Sequence, residues 1–99
     1  MYASKLPESI QQVLKFSAEK LNPSRIVLFG SRARGDNREN SDFDIAFFGV
    51  DKGKCWSPFL ADVSEKNLTL YKLDLVLYED MNKSYQRNID KEGIILYEH

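Results

Sequence analysis

The sequence has 99 residues, with 14 Lys or Arg against 15 Asp or Glu, for a formal net charge of −1. This length supports one small domain over residues 1–99, and the near-neutral charge argues against direct nucleic-acid binding. One cysteine and one histidine exclude a disulfide framework and a Cys/His zinc site. No apolar run reaches the about 20 residues that span a bilayer, and the first residues lack a signal-peptide pattern. We therefore expect a soluble cytoplasmic protein that does not bind membranes.

A helix and then a buried strand are predicted in the first third of the chain. Residues 7–21 carry apolar or small side chains at helical spacing, and Asn22 and Pro23 should end this helix. Residues 26–29 form a short unbroken apolar run before Gly30, which predicts a strand buried on both faces. The polar residues 31–41 predict a short helical turn and an exposed loop.

Two further strands are predicted from alternating patterns. In residues 42–49, one face carries Phe43, Ile45 and Phe47, and the other carries Asp42 and Asp44. In residues 71–78, one face carries three leucines and the other carries Asp74, Val76 and Tyr78.

Helices are predicted after each of these strands. Ser57 and Pro58 are typical of a helix N-cap and first helical position. Met81, Tyr85 and Ile89 recur at helical spacing before Gly93, which should end the helix and leave residues 94–97 extended. The order of helix, strand, turn, strand, helix, strand and helix predicts one compact α/β unit.

The glycine and serine after the first strand are a candidate anion site. At Gly30 and Ser31, backbone N–H groups and a hydroxyl could face a phosphate, and glycine permits close approach. The same pair occurs in many turns for conformational reasons alone. The segment GSRARG has neither the spacing of a P-loop nor that of a dinucleotide-binding motif.

Three aspartates near strand ends are candidate metal ligands. Asp42 and Asp44 share one face of a strand, where their carboxylates can converge on a cation. Asp74 interrupts an apolar strand, where an unpaired carboxylate is costly unless something neutralises it. Any one of them alone is more typical of a turn or a solvated edge. Oxygen ligands without nearby Cys or His favour Mg²⁺ or Mn²⁺, which proteins often hold together with substrate phosphates.

These motifs together resemble a known family. Gly30 and Ser31, ten intervening residues and Asp42-Phe43-Asp44 are similar to the signature of minimal nucleotidyltransferases in the DNA polymerase β superfamily. The later strand around Asp74 and the element order also match. The resemblance implies a small mixed sheet flanked by helices, in which Gly30 and Ser31 hold the nucleotide phosphates. It further implies that Asp42, Asp44 and Asp74 are catalytic and bind two Mg²⁺ ions, or Mn²⁺.

The arginines of the intervening loop are open to two interpretations. Arg34 lies within the matched GSRARG segment and is the first candidate for a phosphate contact. The alternative is that the loop arginines are exposed and balance Asp36 and Glu39. The sequence does not assign roles to Arg32 and Arg38.

The resemblance also implies a reaction and a partner. Proteins similar to this one are commonly encoded beside a HEPN-domain ribonuclease toxin and act as its antitoxin, transferring AMP from ATP to a toxin tyrosine with release of pyrophosphate. Asp74 would bind the ion that activates the hydroxyl and could accept its proton. The alternative is an antitoxin that binds nucleotide and neutralises its partner by complex formation alone.

The sequence also bears on other acceptors and on a docking surface. The near-neutral charge disfavours transfer to RNA, and the small size disfavours an antibiotic substrate. Aromatic residues at helical spacing, such as Trp56, Phe59 and Tyr85, could dock a partner but are more often core.

Overall fold

The computed structural model describes residues 6–99; residues 1–5 of the predicted domain lie outside the described residues. Its helices and strands follow the predicted order. The helices are α1 (Glu8–Leu21), α2 (Ser31–Arg34), α3 (Ser57–Lys66) and α4 (Lys83–Glu92). The strands are β1 (Arg25–Phe29), β2 (Phe43–Phe48), β3 (Leu73–Leu77) and β4 (Ile94–Glu98). A π-helical segment, Lys52–Trp56, precedes α3, and a 3₁₀ turn, Tyr78–Asp80, follows β3.

The four strands form one mixed sheet in the order β3-β2-β1-β4. Strand β1 is antiparallel to both β2 and β4, whereas β2 and β3 are parallel. The parallel pair is possible because α3 lies in the crossover between its strands, as parallel connections require. The predicted small mixed sheet flanked by helices is confirmed.

Each face of the sheet has its own apolar cluster. On one face, Phe43, Ile45 and Phe47 pack in a cluster with side chains of α1 and α3, among them Ile10 and Phe59. On the other face, a smaller cluster joins Val27, Phe29 and Ala46 of the sheet to Ile89 of α4. Strand alternation places Asp44 on this second face, because it is two residues from Ala46.

Glycine is needed at the end of α4 for a steric reason. Gly93 follows the helix as expected, but its backbone is extended, with φ −68° and ψ 146°. A side chain at this position would collide with the carbonyl of Ile89 and with Val27. Glycine is therefore required by the close approach of α4 to β1.

The start of α3 corrects the predicted cap. Ser57 is the first helical residue, and the cap position belongs to Trp56, whose φ of −67° and ψ of −54° are helical. The π-helical segment continues directly into α3, and the Trp56 ring packs 5.7 Å from Phe47 and 5.8 Å from Phe59, centroid to centroid. This packing fixes the helix start without a serine cap. Among residues 6–99, no helix is long and apolar enough to cross a membrane.

Candidate active site

Asp44 lies at the centre of a group of acidic residues on the α4 face of the sheet. The register places Asp44 opposite Asp74 on β3 and opposite Phe29, the last residue of β1. Asp42 precedes β2 and is exposed, as is Asp74, whereas Asp44 is half-buried. The structure therefore brings the two predicted motifs, from β2 and β3, to one place.

The surroundings of Asp44 oppose its negative charge. Burial and, after it, the negative charges of Asp74 and Asp42 together raise the pKa of the Asp44 carboxyl to about 6. The positive charge of Arg34 lowers the pKa of Asp44, and its effect is the smallest of these. The site thus concentrates negative charge that its own arginine does not neutralise.

Gly30 allows the Asp44 carboxylate to occupy this position. Gly30 has φ 76° and ψ −158°, a conformation that side chains rarely adopt. A Cβ atom built at Gly30 would collide with Asp44 Oδ2. The turn between β1 and α2 and the carboxylate of β2 are therefore in direct contact, and Ser31 follows as the first residue of α2.

An open cleft of about 260 Å³ lies beside this contact. Predicted site residues Gly30, Arg34 and Asp44 line it, and the other lining residues are Phe29, Tyr85, Asn88 and Glu92. Sequence reasoning did not single out Asn88 or Glu92. The available signal was their spacing from Tyr85 along α4, which places all three on one stripe of the helix.

Arg34 is held by two carboxylates at the edge of the cleft. Its Nε donates to Asp36 Oδ2 at 3.0 Å, and its Nη1 donates to Glu92 Oε1 at 3.0 Å. These contacts raise the pKa of the Arg34 guanidinium. The expected pairing with Asp36 is confirmed, but the second carboxylate on Arg34 is Glu92 and not the expected Glu39. A phosphate contact stays a prediction.

Arg32 has a structural role that the sequence left open. Its guanidinium lies 4.0 Å from the centre of the Phe43 ring and 5.4 Å from that of Tyr71. It also donates hydrogen bonds to the Ser41 and Glu39 carbonyls, both at 3.0 Å. Arg32 therefore fastens the loop that leads to Asp42.

Nearby, Arg38 takes part in a backbone turn. Its N–H donates to Ser41 Oγ, and its carbonyl accepts from the Ser41 N–H. This turn ends at Ser41, directly before Asp42, and belongs to the loop that Arg32 fastens.

The acidic residues fit a divalent cation by their chemistry. Within residues 6–99, no three or more His, Cys, Asp or Glu side chains are arranged around a common metal position. The donor set at Asp42, Asp44 and Asp74 is nevertheless all oxygen, as Mg²⁺ and Mn²⁺ prefer. The pKa of Asp44 is raised first by burial and then by the neighbouring charges of Asp74 and Asp42, and a bound cation would offset both effects.

Comparison with known proteins identifies the family. Residues 8–99 match the family model described as polymerase beta, nucleotidyltransferase. A protein of Methanocaldococcus jannaschii named as a candidate protein adenylyltransferase is 35% identical over 82 residues, which cover 74% of this chain and 77% of that protein. The chain belongs to the polymerase beta nucleotidyltransferase family and is a nucleotidyltransferase.

Solved structures show the same fold. The crystal structure of a toxin-antitoxin with AMP-PNP aligns with a TM-score of 0.62 and 25% identity, covering 93% of this chain and 73% of that one. A minimal nucleotidyltransferase structure aligns with a TM-score of 0.70 and 24% identity, covering 93% of both chains.

Proposed function

We propose that this chain, as one minimal nucleotidyltransferase domain over residues 1–99, is a Mg²⁺-dependent protein adenylyltransferase and an antitoxin. It transfers AMP from ATP to a tyrosine of a HEPN-domain ribonuclease toxin encoded by the adjacent gene. The observation that carries the proposal is the pairing of Asp44 with Asp74 directly beside Gly30. The adenylyltransferase relative and the toxin-antitoxin structure with AMP-PNP support the reaction class and the partner class.

The positions of these residues support the following binding roles. Gly30 and Ser31 contact the phosphates of ATP, because they form the turn against which Asp44 packs. Asp42, Asp44 and Asp74 hold two Mg²⁺ ions, and Mn²⁺ can replace them. When bound, the ions offset the repulsion between carboxylates and triphosphate and stabilise the attacking and leaving oxygens. Arg34, at the edge of the cleft, contributes positive charge toward the phosphates.

The acceptor tyrosine approaches from the β3 side of the site. The cleft lies toward β1 and α4, whereas Asp74 is exposed on β3, an outer strand of the sheet. The tyrosine oxygen bonds to the α-phosphorus of ATP as the bond from that phosphorus to the bridging oxygen breaks. Pyrophosphate leaves with those electrons, and the Asp74 carboxylate accepts the hydroxyl proton.

The modification explains neutralisation of the toxin. AMP on a tyrosine adds a bulky anion to the toxin surface. Near a ribonuclease site, such a group repels and occludes the phosphates of RNA, as other added phosphates do by like-charge repulsion. The partner would then be inactive without continuous binding of the antitoxin.

The test is the intact mass of the adjacent gene's product after co-expression with this protein. The wild-type protein is compared with the Asp42→Asn, Asp44→Asn double variant, and Asp62→Asn on α3 is the matched control. The expected result is a mass gain in whole AMP units with the wild type and the control only. Tandem fragmentation then places the AMP on a tyrosine.

A different pattern would overturn the proposal. If the partner stays unmodified yet co-purifies tightly with both the wild type and the double variant, neutralisation occurs by complex formation. If AMP is found on RNA or a small molecule instead, the acceptor class is wrong.

A further inference from the structure

The cleft beside Asp44 has a wall that the proposed phosphate and metal site does not use. Tyr85, Asn88 and Glu92 of α4 line the same cleft as Gly30 and Asp44. Their spacing of three and then four residues places them on one stripe of the helix. A ligand held at Gly30 therefore has α4 as its neighbour.

Tyr85 is the aromatic side chain of this wall, and it is only partly covered. The residue is 49% exposed, whereas Phe29, which contacts it edge to face at 6.4 Å between ring centres, is 5% exposed. Phe29 directly precedes Gly30 in the chain. A buried ring thus holds Tyr85 beside the Gly30 turn and leaves much of its surface open to the cleft.

The other two residues of the stripe offer different chemistry. The Glu92 carboxylate is already paired with Arg34 at 3.0 Å. Asn88 is exposed and carries both an amide donor and a carbonyl acceptor. The flat apolar surface that a nucleobase requires is therefore present on this wall at Tyr85.

We propose that the nucleoside part of the substrate lies against α4, with its base stacked on the Tyr85 ring. This inference rests on the proposed function, because it takes the phosphates to lie at Gly30 and Ser31. Aromatic rings stack with every base, since each base has a π face. Tyr85 is therefore a general platform for nucleoside triphosphates and does not itself select adenine. The cleft of about 260 Å³ is close to the lower end of the about 300–1,000 Å³ that small-molecule sites occupy.

The test measures binding of two probes by calorimetry in the presence of Mg²⁺. ATP carries phosphates and a base, whereas inorganic tripolyphosphate carries phosphates only. We expect Tyr85→Ala to weaken ATP binding by about 5- to 150-fold, the range for loss of one base–aromatic stack, and to leave tripolyphosphate binding unchanged. Tyr85→Phe should retain most of the ATP affinity. Ser84→Ala, at an exposed neighbouring position of α4, is the matched control and should bind both probes as the wild type does.

Two results would overturn the inference while leaving the proposed function intact. One is a Tyr85→Ala protein that binds ATP as tightly as the wild type. The other is an equal loss of affinity for ATP and tripolyphosphate, which would show that Tyr85 supports the phosphate site. A wild-type protein that binds neither probe would instead overturn the proposed function, and this inference with it.

Discussion

Asp44 and Asp74 lie directly opposite each other on the adjacent parallel strands β2 and β3. Like charges placed opposite each other across a sheet destabilise it, and this pair also stands next to Asp42. The arrangement therefore costs stability in the free protein. This cost in stability can be measured, as can the relief that we expect from a bound cation.

The first prediction concerns the pH dependence of stability. In the folded chain the pKa of Asp44 is about 6, above its ordinary value of 3.8. Because the folded state binds this proton more tightly, the contribution of Asp44 to stability is fully present below about pH 3.8 and is lost as pH rises through about 6. Asp44→Asn should therefore melt at a higher temperature than the wild type at pH 7.5 with a chelator present, and the difference should shrink toward pH 4.

The matched control for this experiment is Asp62→Asn, which removes a carboxylate from α3. Its melting temperature relative to the wild type should not follow the same pH dependence. An Asp44→Asn protein that is less stable than the wild type at pH 7.5 would show that the carboxylate makes a stabilising contact.

The second prediction concerns metal binding. A ligand that binds only the folded state raises the melting temperature in proportion to the logarithm of its concentration, once that concentration exceeds Kd. We expect Mg²⁺, and Mn²⁺ likewise, to raise the melting temperature of the wild type at pH 7.5. The Asp42→Asn, Asp44→Asn double variant should show no such rise. Equal rises in both proteins would place the cation elsewhere on the chain.

Asp44 and Asp74 show how much of this site can be predicted from the sequence. The alternation in residues 42–49 correctly placed Asp44 on the face opposite Phe43, because a period of two depends only on local backbone geometry. The alignment of Asp44 with Asp74 could not be derived in this way, since register is set by the packing of β2 and β3 across the α3 crossover. The family resemblance implied only that Asp42, Asp44 and Asp74 share one metal site, and the register itself comes from the structure.

The wrong N-cap prediction at Ser57 and the cleft residues that the sequence did not indicate have the same physical cause. Ser57 looked like a cap, but the packing of Trp56 on Phe47 and Phe59 decides where α3 begins. The spacing of Asn88 and Glu92 from Tyr85 places them on one stripe of α4, but it does not indicate a cleft, because the cleft exists only once α4 lies on the sheet next to Gly30. Tertiary contacts between distant segments determine these features.

The third prediction compares two glycines that both have positive φ. Gly30 has φ 76° and Gly35 has φ 83°, but only Gly30 has neighbours within 4 Å of an added Cβ. Each alanine variant should lose about 1 kcal/mol or more of unfolding free energy from the unfavourable backbone conformation. Gly30→Ala should lose more, because the new methyl group displaces the Asp44 carboxylate.

The two glycine variants also distinguish a loss of activity from a loss of stability. Gly30→Ala should abolish Mg²⁺-dependent transfer of AMP to the partner, whereas Gly35→Ala should retain it at temperatures where both proteins are folded. Stability comes from urea denaturation, and transfer comes from the mass of the partner. Retained transfer by a folded Gly30→Ala protein would mean that Asp44 does not need its observed position.

The fourth prediction concerns Arg32, which we expect to act on the site through the loop before Asp42. Its guanidinium stacks on Phe43 and donates to two loop carbonyls. Arg32→Ala should destabilise the fold by about 1–3 kcal/mol, because it removes these contacts, of which the hydrogen bond to Glu39 is exposed and therefore weak. Arg32→Lys should recover only part of this loss, because an ammonium cannot reproduce the planar two-donor geometry. If Arg32 positions Asp42, both variants will show a raised Mg²⁺ requirement for transfer while their affinity for metal-free tripolyphosphate stays as in the wild type. A variant that is destabilised but keeps the wild-type Mg²⁺ dependence would limit Arg32 to holding the loop.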